Sequence, residues 1–225
     1  MTANSTVLFD VDGTLVDSNY LHVHAWQRAF TELGLSVESW RIHRAIGMDG
    51  SALVRDLSGD APEQVRRQLQ DLHSRYYLQT AELLHPLPGA RELLDRVAEL
   101  GLQVVLATSA PDDELALLRK ILQRDHLISA VTSSADVDVA KPRPDIVAVA
   151  LDRAGVPAER AVFVGDATWD AEASHRAGLR CIGLLSGGVS HHELEAAGAA
   201  AVFADAADLL AHLAETPIAD LAGAG

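Results

Sequence analysis

Short, continuous apolar runs recur along the chain, and they predict buried parallel strands. These runs lack the alternation of a half-exposed strand, which indicates that both faces of each strand are covered. The runs occupy residues 7–11, 103–108, 130–132, 161–164, 180–185 and 201–203.

Amphipathic helical patterns follow the later strands, and three of them stop at a glycine, the usual residue just past a helix end. Ser190 and Glu193 have the spacing of a capping box and predict the start of another helix. The regular alternation of strand and helix predicts an α/β fold, a doubly wound, Rossmann-like parallel sheet. The helical patterns occupy residues 90–100, 112–123, 146–154 and 169–177.

The interval 12–102 separates the first two strands and is far longer than the dozen or more residues that a crossover needs. It contains helical patterns at 19–33, 37–46 and 51–57, and a long one for which Asp60 is the expected N-cap. We therefore predict an inserted helical cap domain of residues 17–86. The α/β core domain is then discontinuous, with residues 1–16 and 87–225.

Composition narrows the class of protein. The 225 residues are 48% hydrophobic, enough for one sizeable core, and carry a formal net charge of −14 with no basic stretch. Nucleic acid and anionic membranes are therefore unexpected partners. A single cysteine, Cys181, allows no intramolecular disulfide and fits a reducing compartment. We predict a cytoplasmic protein, a monomer or homodimer, without a transmembrane segment.

Polar residues follow the predicted strands or open helices beside them. They are Asp10 with Asp12, Thr108 with Ser109, Lys141, and Asp166 with Asp170. The carboxyl ends of parallel strands share one edge of a sheet, so these side chains are expected to converge there. Clustered carboxylates repel one another and need a hard cation, Mg²⁺ above all, and no Cys/His set indicates zinc.

The spacing of Asp10 and Asp12 suits phosphoryl transfer. Residues i and i+2 of an extended segment point the same way, so both carboxyls can reach one substrate. One carboxylate can attack phosphorus and form an aspartyl-phosphate, while the second protonates the leaving oxygen and then activates water.

The ordered motifs D-x-D-G-T, T-S, K-P and G-D-x-x-x-D resemble those of the haloacid dehalogenase-like hydrolases with a helical cap, over residues 6 to about 213. The resemblance implies that Asp10 is the nucleophile and Asp12 the general acid/base. It implies a Mg²⁺ site formed by Asp10, the backbone carbonyl of Asp12, Asp166 and Asp170. It also implies that Thr108, the Ser109 amide and Lys141 bind the phosphoryl group, with Gly13 turning the chain beside it.

Simpler interpretations remain open for some of these residues. Thr108 is also explained as a strand-end cap, and Lys141 as a solvent-facing side chain. Asp170 is also explained by a helix N-terminus near Thr168, where carboxylates are favourable. His22 is expected near the mouth of the site. It is explained either by a role in substrate binding or proton transfer or by a position on the helix surface.

Differences within the family select among its activities. Asp12 argues for phosphate chemistry over dehalogenation, and the absence of lysine from 17–86 excludes a phosphonoacetaldehyde hydrolase. The stretch 47–51 lacks the arginine of β-phosphoglucomutases. We therefore expect a Mg²⁺-dependent phosphatase for a small phosphorylated metabolite. The alternatives are a sugar phosphomutase of the β-phosphoglucomutase type or a non-catalytic phosphate-binding regulatory protein.

Overall fold

The computed structural model describes residues 5–133, 136 and 143–223. Within these ranges a single parallel sheet has the strand order β3-β2-β1-β4-β5-β6. The strands are β1 Thr6–Phe9, β2 Gln103–Ala107, β3 Ile128–Thr132, β4 Ala161–Gly165, β5 Arg180–Leu184 and β6 Ala199–Phe203.

The strand order confirms the predicted doubly wound α/β fold. The chain runs outward from β1 through β2 to β3, then returns to the other side of β1 and continues through β4 to β6. The order therefore reverses at the β1/β4 pair, where such sheets open a crevice for ligands. The prediction started the two edge strands, β3 and β6, two residues too late because their partly exposed, Ala-containing sequences give a weak apolar signal.

The helices agree with the predicted patterns to within about two residues, apart from the start of α4. Pro62 occupies the N-cap position there in an extended conformation, and the residue before a proline avoids helical geometry. The prediction that Asp60 caps this helix is therefore wrong. The helices are α1 Asn19–Glu32, α2 Ser39–Ala45, α3 Gly50–Leu57, α4 Glu63–Leu78, α5 Ala90–Glu99, α6 Asp112–Leu122, α7 Asp145–Ala154, α8 Thr168–Arg176, α9 His191–Ala196, α10 Ala206–Ala211 and α11 Pro217–Gly223.

Alternation along the buried strands divides the core between the two faces of the sheet. Val7 and Phe9 of β1 pack in the larger apolar cluster, with Leu93 and Leu94 of α5, whereas Leu8 packs on the opposite face, in the cluster that includes α7 residues. Full burial of a side chain of this size contributes about 1.5–3 kcal/mol. Both faces are therefore covered, and the polar ends of the strands are left for chemistry.

Helices α1 to α4 form the long insert between β1 and β2. Helix α1 packs along α4, and α2 and α3 complete the group. The chain enters and leaves this insert through adjacent segments: the Asp17 amide donates to the His85 carbonyl at 2.9 Å, and the Leu87 amide donates to the Leu15 carbonyl at 2.9 Å. The insert is thus anchored beside the carboxyl end of β1.

Among the residues that the structure describes, no helix is both long enough and apolar enough to cross a membrane.

Candidate active site

The central strands bring their polar ends together at one edge of the sheet. Asp10 directly follows β1, and its amide donates to the carbonyl of Val164 in β4 at 2.9 Å. Asp166 directly follows β4 and Thr108 directly follows β2. Residues from distant parts of the sequence therefore meet at the point where the strand order reverses.

Three carboxylates form a buried acidic cluster at this edge. Asp10, Asp166 and Asp170 each offer an oxygen within 4.8 Å of the others, and their exposures are only 5%, 2% and 1%. Withdrawing like charges from water is costly unless a cation compensates them. An all-oxygen donor set of this kind suits a hard divalent ion, so these residues fit Mg²⁺.

Asp166 is held in place by two neighbouring side chains. Thr14 Oγ1 donates to Oδ1 at 2.7 Å, and Asn19 Nδ2 donates to Oδ2 at 2.8 Å. Gly13 passes close by with φ of +74°, and a Cβ there would lie 2.5 Å from Asp166 Oδ2. Gly13 therefore makes the predicted tight turn, and its missing side chain leaves room for the Asp166 carboxylate.

Asp170 contributes both to the start of helix α8 and to the acidic cluster. Its Oδ2 accepts a hydrogen bond from the Ala167 amide at 3.0 Å, which satisfies a backbone donor at the start of α8. Its carboxylate is also part of the acidic cluster. The helix-terminus interpretation and the metal-site interpretation therefore describe the same side chain.

The Asp12 carboxylate faces a different environment from that of Asp10. Its Oδ1 accepts a hydrogen bond from Ser18 Oγ at 2.6 Å and lies 3.2 Å from His22 Nε2. Its side chain is 16% exposed and is not among the described carboxylates of the acidic cluster. The two aspartates of the motif therefore have separate surroundings.

A buried histidine pair extends inward from Asp12. His22 Nδ1 of α1 lies 3.0 Å from His73 Nε2 of α4, and His73 Nδ1 lies 4.0 Å from Glu114 Oε1 of α6. The His22 ring stacks on Tyr77 with a centroid separation of 3.9 Å, and the His73 ring stacks on Trp26 at 4.0 Å. Aromatic packing thus fixes both imidazoles.

This environment shifts the pKa of three groups. Burial lowers the pKa of His22, but the Asp12 carboxylate, with Glu114, more than offsets this, so the pKa is raised overall. Burial and repulsion by His22 hold the pKa of His73 well below its usual range. Burial, aided by nearby Asp12 and Asp113, raises the pKa of Glu114 to about 7. The proton is therefore favoured on His22 over His73.

A cavity of about 470 Å³ lies between the strand ends and the helical insert. The side of the sheet contributes Asp10, Asp12, Thr108 and Ser109, and the insert contributes residues of α1, the 46–50 segment, α3 and α4. Thr108 Oγ1 accepts a hydrogen bond from the Ala110 amide at 3.0 Å, as the strand-end interpretation expects. Its hydroxyl hydrogen remains available to a ligand.

Five of the predicted site residues line one cavity: Asp10, Asp12, Thr108, Ser109 and His22. Asp166 and Asp170 lie beside Asp10 in the acidic cluster, and Gly13 lies beside Asp166. His22 is 8% exposed and contacts Asp12, so it is more enclosed than a position at the mouth of the site. The prediction for Lys141 falls outside the described residues.

Sequence reasoning missed four residues of this site: Thr14, Asn19, His73 and Glu114. Thr14 belongs to the D-x-D-G-T motif, and Asn19 begins α1. His73 lies on the apolar side of α4 beside Leu69 and Tyr76, and Glu114 lies on the buried side of α6 beside Leu115 and Leu118. A titratable residue on an apolar helix face was the available signal for the last two.

Comparison with known proteins connects this geometry to a family. Residues 7–184 match the haloacid dehalogenase-like hydrolase family. A phosphoglycolate phosphatase of Pseudomonas savastanoi pv. phaseolicola is 31% identical over 189 residues, covering 80% of this chain and 69% of that protein. A hydrolase from Pseudomonas syringae has a TM-score of 0.90 at 37% identity, covering 94% of this chain and 99% of that one.

A further structural neighbour bears on the fold alone. The β-phosphoglucomutase of Clostridium difficile has a TM-score of 0.82 at 17% identity, covering 94% of this chain and 96% of that one. At 17% identity this similarity shows a shared fold and does not indicate a shared activity.

Fold and site together define the class: a doubly wound α/β protein with a buried carboxylate site at its strand ends and a helical insert over them. The chain belongs to the haloacid dehalogenase-like hydrolase family, since the family match covers most of its length. The predicted resemblance is thus confirmed, and the chain is an enzyme, a hydrolase of this family with phosphatases among its relatives.

Proposed function

We propose that this enzyme is a Mg²⁺-dependent phosphatase that hydrolyses a small phosphorylated metabolite through an aspartyl-phosphate on Asp10. The supporting observation is that Asp10 belongs both to the acidic cluster and to the cavity wall, while Asp12 stands apart beside a histidine. The two carboxyls thus have the separate environments that nucleophile and acid/base require.

In the first half-reaction the Asp10 carboxylate attacks phosphorus, and the bond from phosphorus to the leaving oxygen breaks. Asp12 donates its proton to that oxygen, so the product leaves as a neutral alcohol. A bound Mg²⁺, held by Asp10, Asp166, Asp170 and the Asp12 carbonyl, would compensate the negative charge of the carboxylates and the phosphoryl oxygens. Thr108, the Ser109 amide and Lys141 bind the transferred phosphoryl group.

In the second half-reaction Asp12, now ionised, accepts a proton from water. The water oxygen attacks phosphorus, and the bond to Asp10 breaks, which releases phosphate and regenerates the Asp10 carboxylate. His22 is within 3.2 Å of Asp12 and orients its carboxyl group. It is thus a positioning residue with respect to the acid/base.

The insert of residues 17–86 acts as a cap domain over a core of residues 1–16 and 87–225. Trp26 of α1, the 46–50 segment and Leu53 of α3 line the cavity opposite Asp10 and Thr108. A wall of this kind encloses a small substrate and limits the access of water while the aspartyl-phosphate forms. The two segments that connect the cap to the core, 15–17 and 85–87, are joined by backbone hydrogen bonds, and such a cap would hinge there.

A phosphatase is favoured over the phosphomutase alternative by the charge of the cavity. A mutase must hold a second phosphate, and no lysine or arginine is among the described residues that line the cavity. The regulatory alternative is disfavoured because Asp12 retains the proton-transfer contacts that turnover requires. A reducing, cytoplasmic location is consistent with the single buried Cys181, and the oligomeric state proposed is a monomer or homodimer.

The test is an activity screen of phosphomonoesters with Mg²⁺ and with EDTA. We expect phosphate release that depends on Mg²⁺, and no conversion of glucose 1-phosphate to glucose 6-phosphate when a hexose bisphosphate primer is added. Mutase turnover that exceeds phosphate release would contradict the proposal. Equal activity with EDTA would contradict the metal dependence.

A further inference from the structure

The cavity wall has an unusual distribution of charge for a site that receives an anion. Its described lining includes the acidic residues Asp10, Asp12, Asp49, Asp71 and Glu114. Asp10 and Asp12 serve the reacting phosphate, whereas Asp49 and Asp71 belong to the helical insert. The Asp49 carboxylate also caps α3, where it accepts from the Ser51 and Ala52 amides, and Asp71 is exposed. The insert side of the cavity is therefore an acidic wall, with two acidic residues and no lysine or arginine in the described lining.

Among the residues that the structure describes, no lysine or arginine lines the cavity to balance a second anion there. Lys141 is the one lysine or arginine that lies outside the described ranges. Under the proposed function Lys141 serves the transferred phosphoryl group. Arg44 is adjacent to the 46–50 segment, but its guanidinium pairs with Glu193 of α9 at 2.5 Å.

The cavity histidines do not supply this cation either. Burial and repulsion by His22 hold the pKa of His73 well below its usual range, so His73 is neutral near pH 7. His22 Nε2 lies 3.2 Å from Asp12 Oδ1, so this imidazole is already engaged by Asp12. A second anionic group would therefore lie near Asp49 and Asp71 with no lysine or arginine of the described lining to compensate its charge, which is unfavourable.

We propose that the substrate is a phosphate monoester whose alcohol portion carries no second anionic group and is neutral or positively charged. This inference rests on the proposed function and specifies its substrate class. The remaining lining is suited to such a group, with apolar contacts from Trp26, Met48 and Leu53 and hydrogen-bonding groups from Gln70 and Ser74. At about 470 Å³ the cavity is in the range of small-molecule sites.

The inference distinguishes this chain from its named relatives. The substrate of a phosphoglycolate phosphatase carries a carboxylate two bonds from the ester oxygen. In this cavity that carboxylate would face the acidic wall of the insert. We therefore expect phosphoglycolate to be a poor substrate here, although the relatives that bear its name are about 31% identical.

Three esters of nearly equal size test the inference: 2-aminoethyl phosphate, 2-hydroxyethyl phosphate and phosphoglycolate, each with Mg²⁺. We expect kcat/KM for at least one of the first two to exceed that for phosphoglycolate by about tenfold or more, equivalent to about 1.4 kcal/mol. A kcat/KM for phosphoglycolate equal to or above both would overturn the inference. A preference for the amino ester would identify the acidic wall as an ammonium site.

4-Nitrophenyl phosphate, assayed in parallel, distinguishes an error in the substrate class from an error in the proposed function. If the enzyme hydrolyses it with Mg²⁺ but prefers phosphoglycolate among the three esters, the substrate class is wrong and the proposed function stands. If none of the four esters is hydrolysed, the proposed function is wrong, and so is the substrate class that rests on it.

A matched pair of variants tests whether a cation added to the cavity improves activity on phosphoglycolate. Gln70→Arg places a cation in the cavity wall, while Gln68→Arg adds the same charge to an exposed position of the same helix. We expect Gln70→Arg, and not Gln68→Arg, to raise the ratio of kcat/KM for phosphoglycolate to that for 2-hydroxyethyl phosphate at least fivefold. The same ratio in both variants would show that the alcohol portion binds elsewhere and would overturn the inference.

Discussion

His22 Nδ1 lies 3.0 Å from His73 Nε2, so helices α1 and α4 share a hydrogen bond directly behind the Asp12 carboxylate. The pKa of His73 is lowered and that of His22 is raised, which favours His22 as the donor and His73 as the acceptor of this bond. The Asp12 carboxylate, the proposed acid/base, is thus contacted by Ser18 and by a histidine of the helical insert.

Replacing His73 with phenylalanine keeps an aromatic ring against Trp26 and removes the acceptor for His22. We expect kcat for 2-hydroxyethyl phosphate to fall about tenfold, the effect of losing one hydrogen bond to a charged group. The effect on 4-nitrophenyl phosphate should be smaller, because that leaving group departs without protonation. His24→Phe, at an exposed position of α1, is the control. An equal loss for both substrates would indicate a purely structural role.

Glu114 gives the enzyme a pH-dependent stability. Its pKa is raised to about 7 from an ordinary value of 4.5, so the folded chain retains a proton that the unfolded chain loses in this window. The free energy of unfolding therefore falls as pH rises from about 4.5 to 7. A shift of this size corresponds to roughly 3–4 kcal/mol at 1.36 kcal/mol per pKa unit.

Glu114→Gln should remove this decline. Relative to the wild type, the variant should gain stability between pH 5 and pH 8, measured by urea denaturation at each pH. Glu172→Gln, on the surface helix α8, should leave the pH dependence unchanged. Parallel stability profiles for the wild type and Glu114→Gln would contradict the assignment.

The acidic cluster predicts that Asp170→Asn is more stable than the wild type without Mg²⁺ but is stabilised less by Mg²⁺. Asp170→Asn removes one of three clustered charges, while its side-chain oxygen can still accept from the Ala167 amide. Without Mg²⁺ the variant should melt at a higher temperature than the wild type, because repulsion is relieved. With Mg²⁺ at about 100 times Kd the wild type should gain about 2.7 kcal/mol, and the variant less.

Thermal unfolding with EDTA and with Mg²⁺ measures both effects. Asp145→Asn is a matched control, since Asp145 is also an acidic residue in the first turn of a helix. A Mg²⁺-induced rise in Tm that is as large in Asp170→Asn as in the wild type would exclude Asp170 as a metal ligand.

Gly187 is predicted to be intolerant of a side chain for a local reason. A Cβ there would collide with the Asp166 carboxylate, which Thr14 and Asn19 hold in place. Gly187→Ala should therefore displace Asp166 and weaken Mg²⁺ binding at least tenfold, as measured by isothermal titration calorimetry. Gly223→Ala is the control, because a Cβ at that position meets no atom within 4 Å and the backbone there is not in the left-handed region. Unchanged affinity in Gly187→Ala would show that Asp166 does not bind the metal.

The order of elements was predictable because buried strands carry continuous apolar runs, such as 161–164, that stand out from their surroundings. The start of α4 was not, because a plausible N-cap at Asp60 competed with the backbone restriction imposed by Pro62. The edge strands β3 and β6 were predicted too short for another reason. Both are partly exposed, and β6 is rich in alanine, so they lack the signal that burial on both faces produces.

The site was predictable where its residues directly follow strands, as Asp10, Thr108 and Asp166 do. His73 and Glu114 could not be placed there, because their proximity to Asp12 depends on how α4 packs against α1 and α6. Sequence spacing carries no information about such a contact. The acidity of the cavity likewise emerges only when Asp49 and Asp71 are brought to one wall by tertiary packing.

The most direct test of the mechanism is the rate at which Asp10→Asn hydrolyses 4-nitrophenyl phosphate with saturating Mg²⁺. Asparagine keeps the shape of the side chain but cannot attack phosphorus, so kcat/KM should fall by at least about 10³-fold. Circular dichroism should show an unchanged fold. Activity within tenfold of the wild type in a freshly purified, folded variant would contradict an aspartyl-phosphate on Asp10.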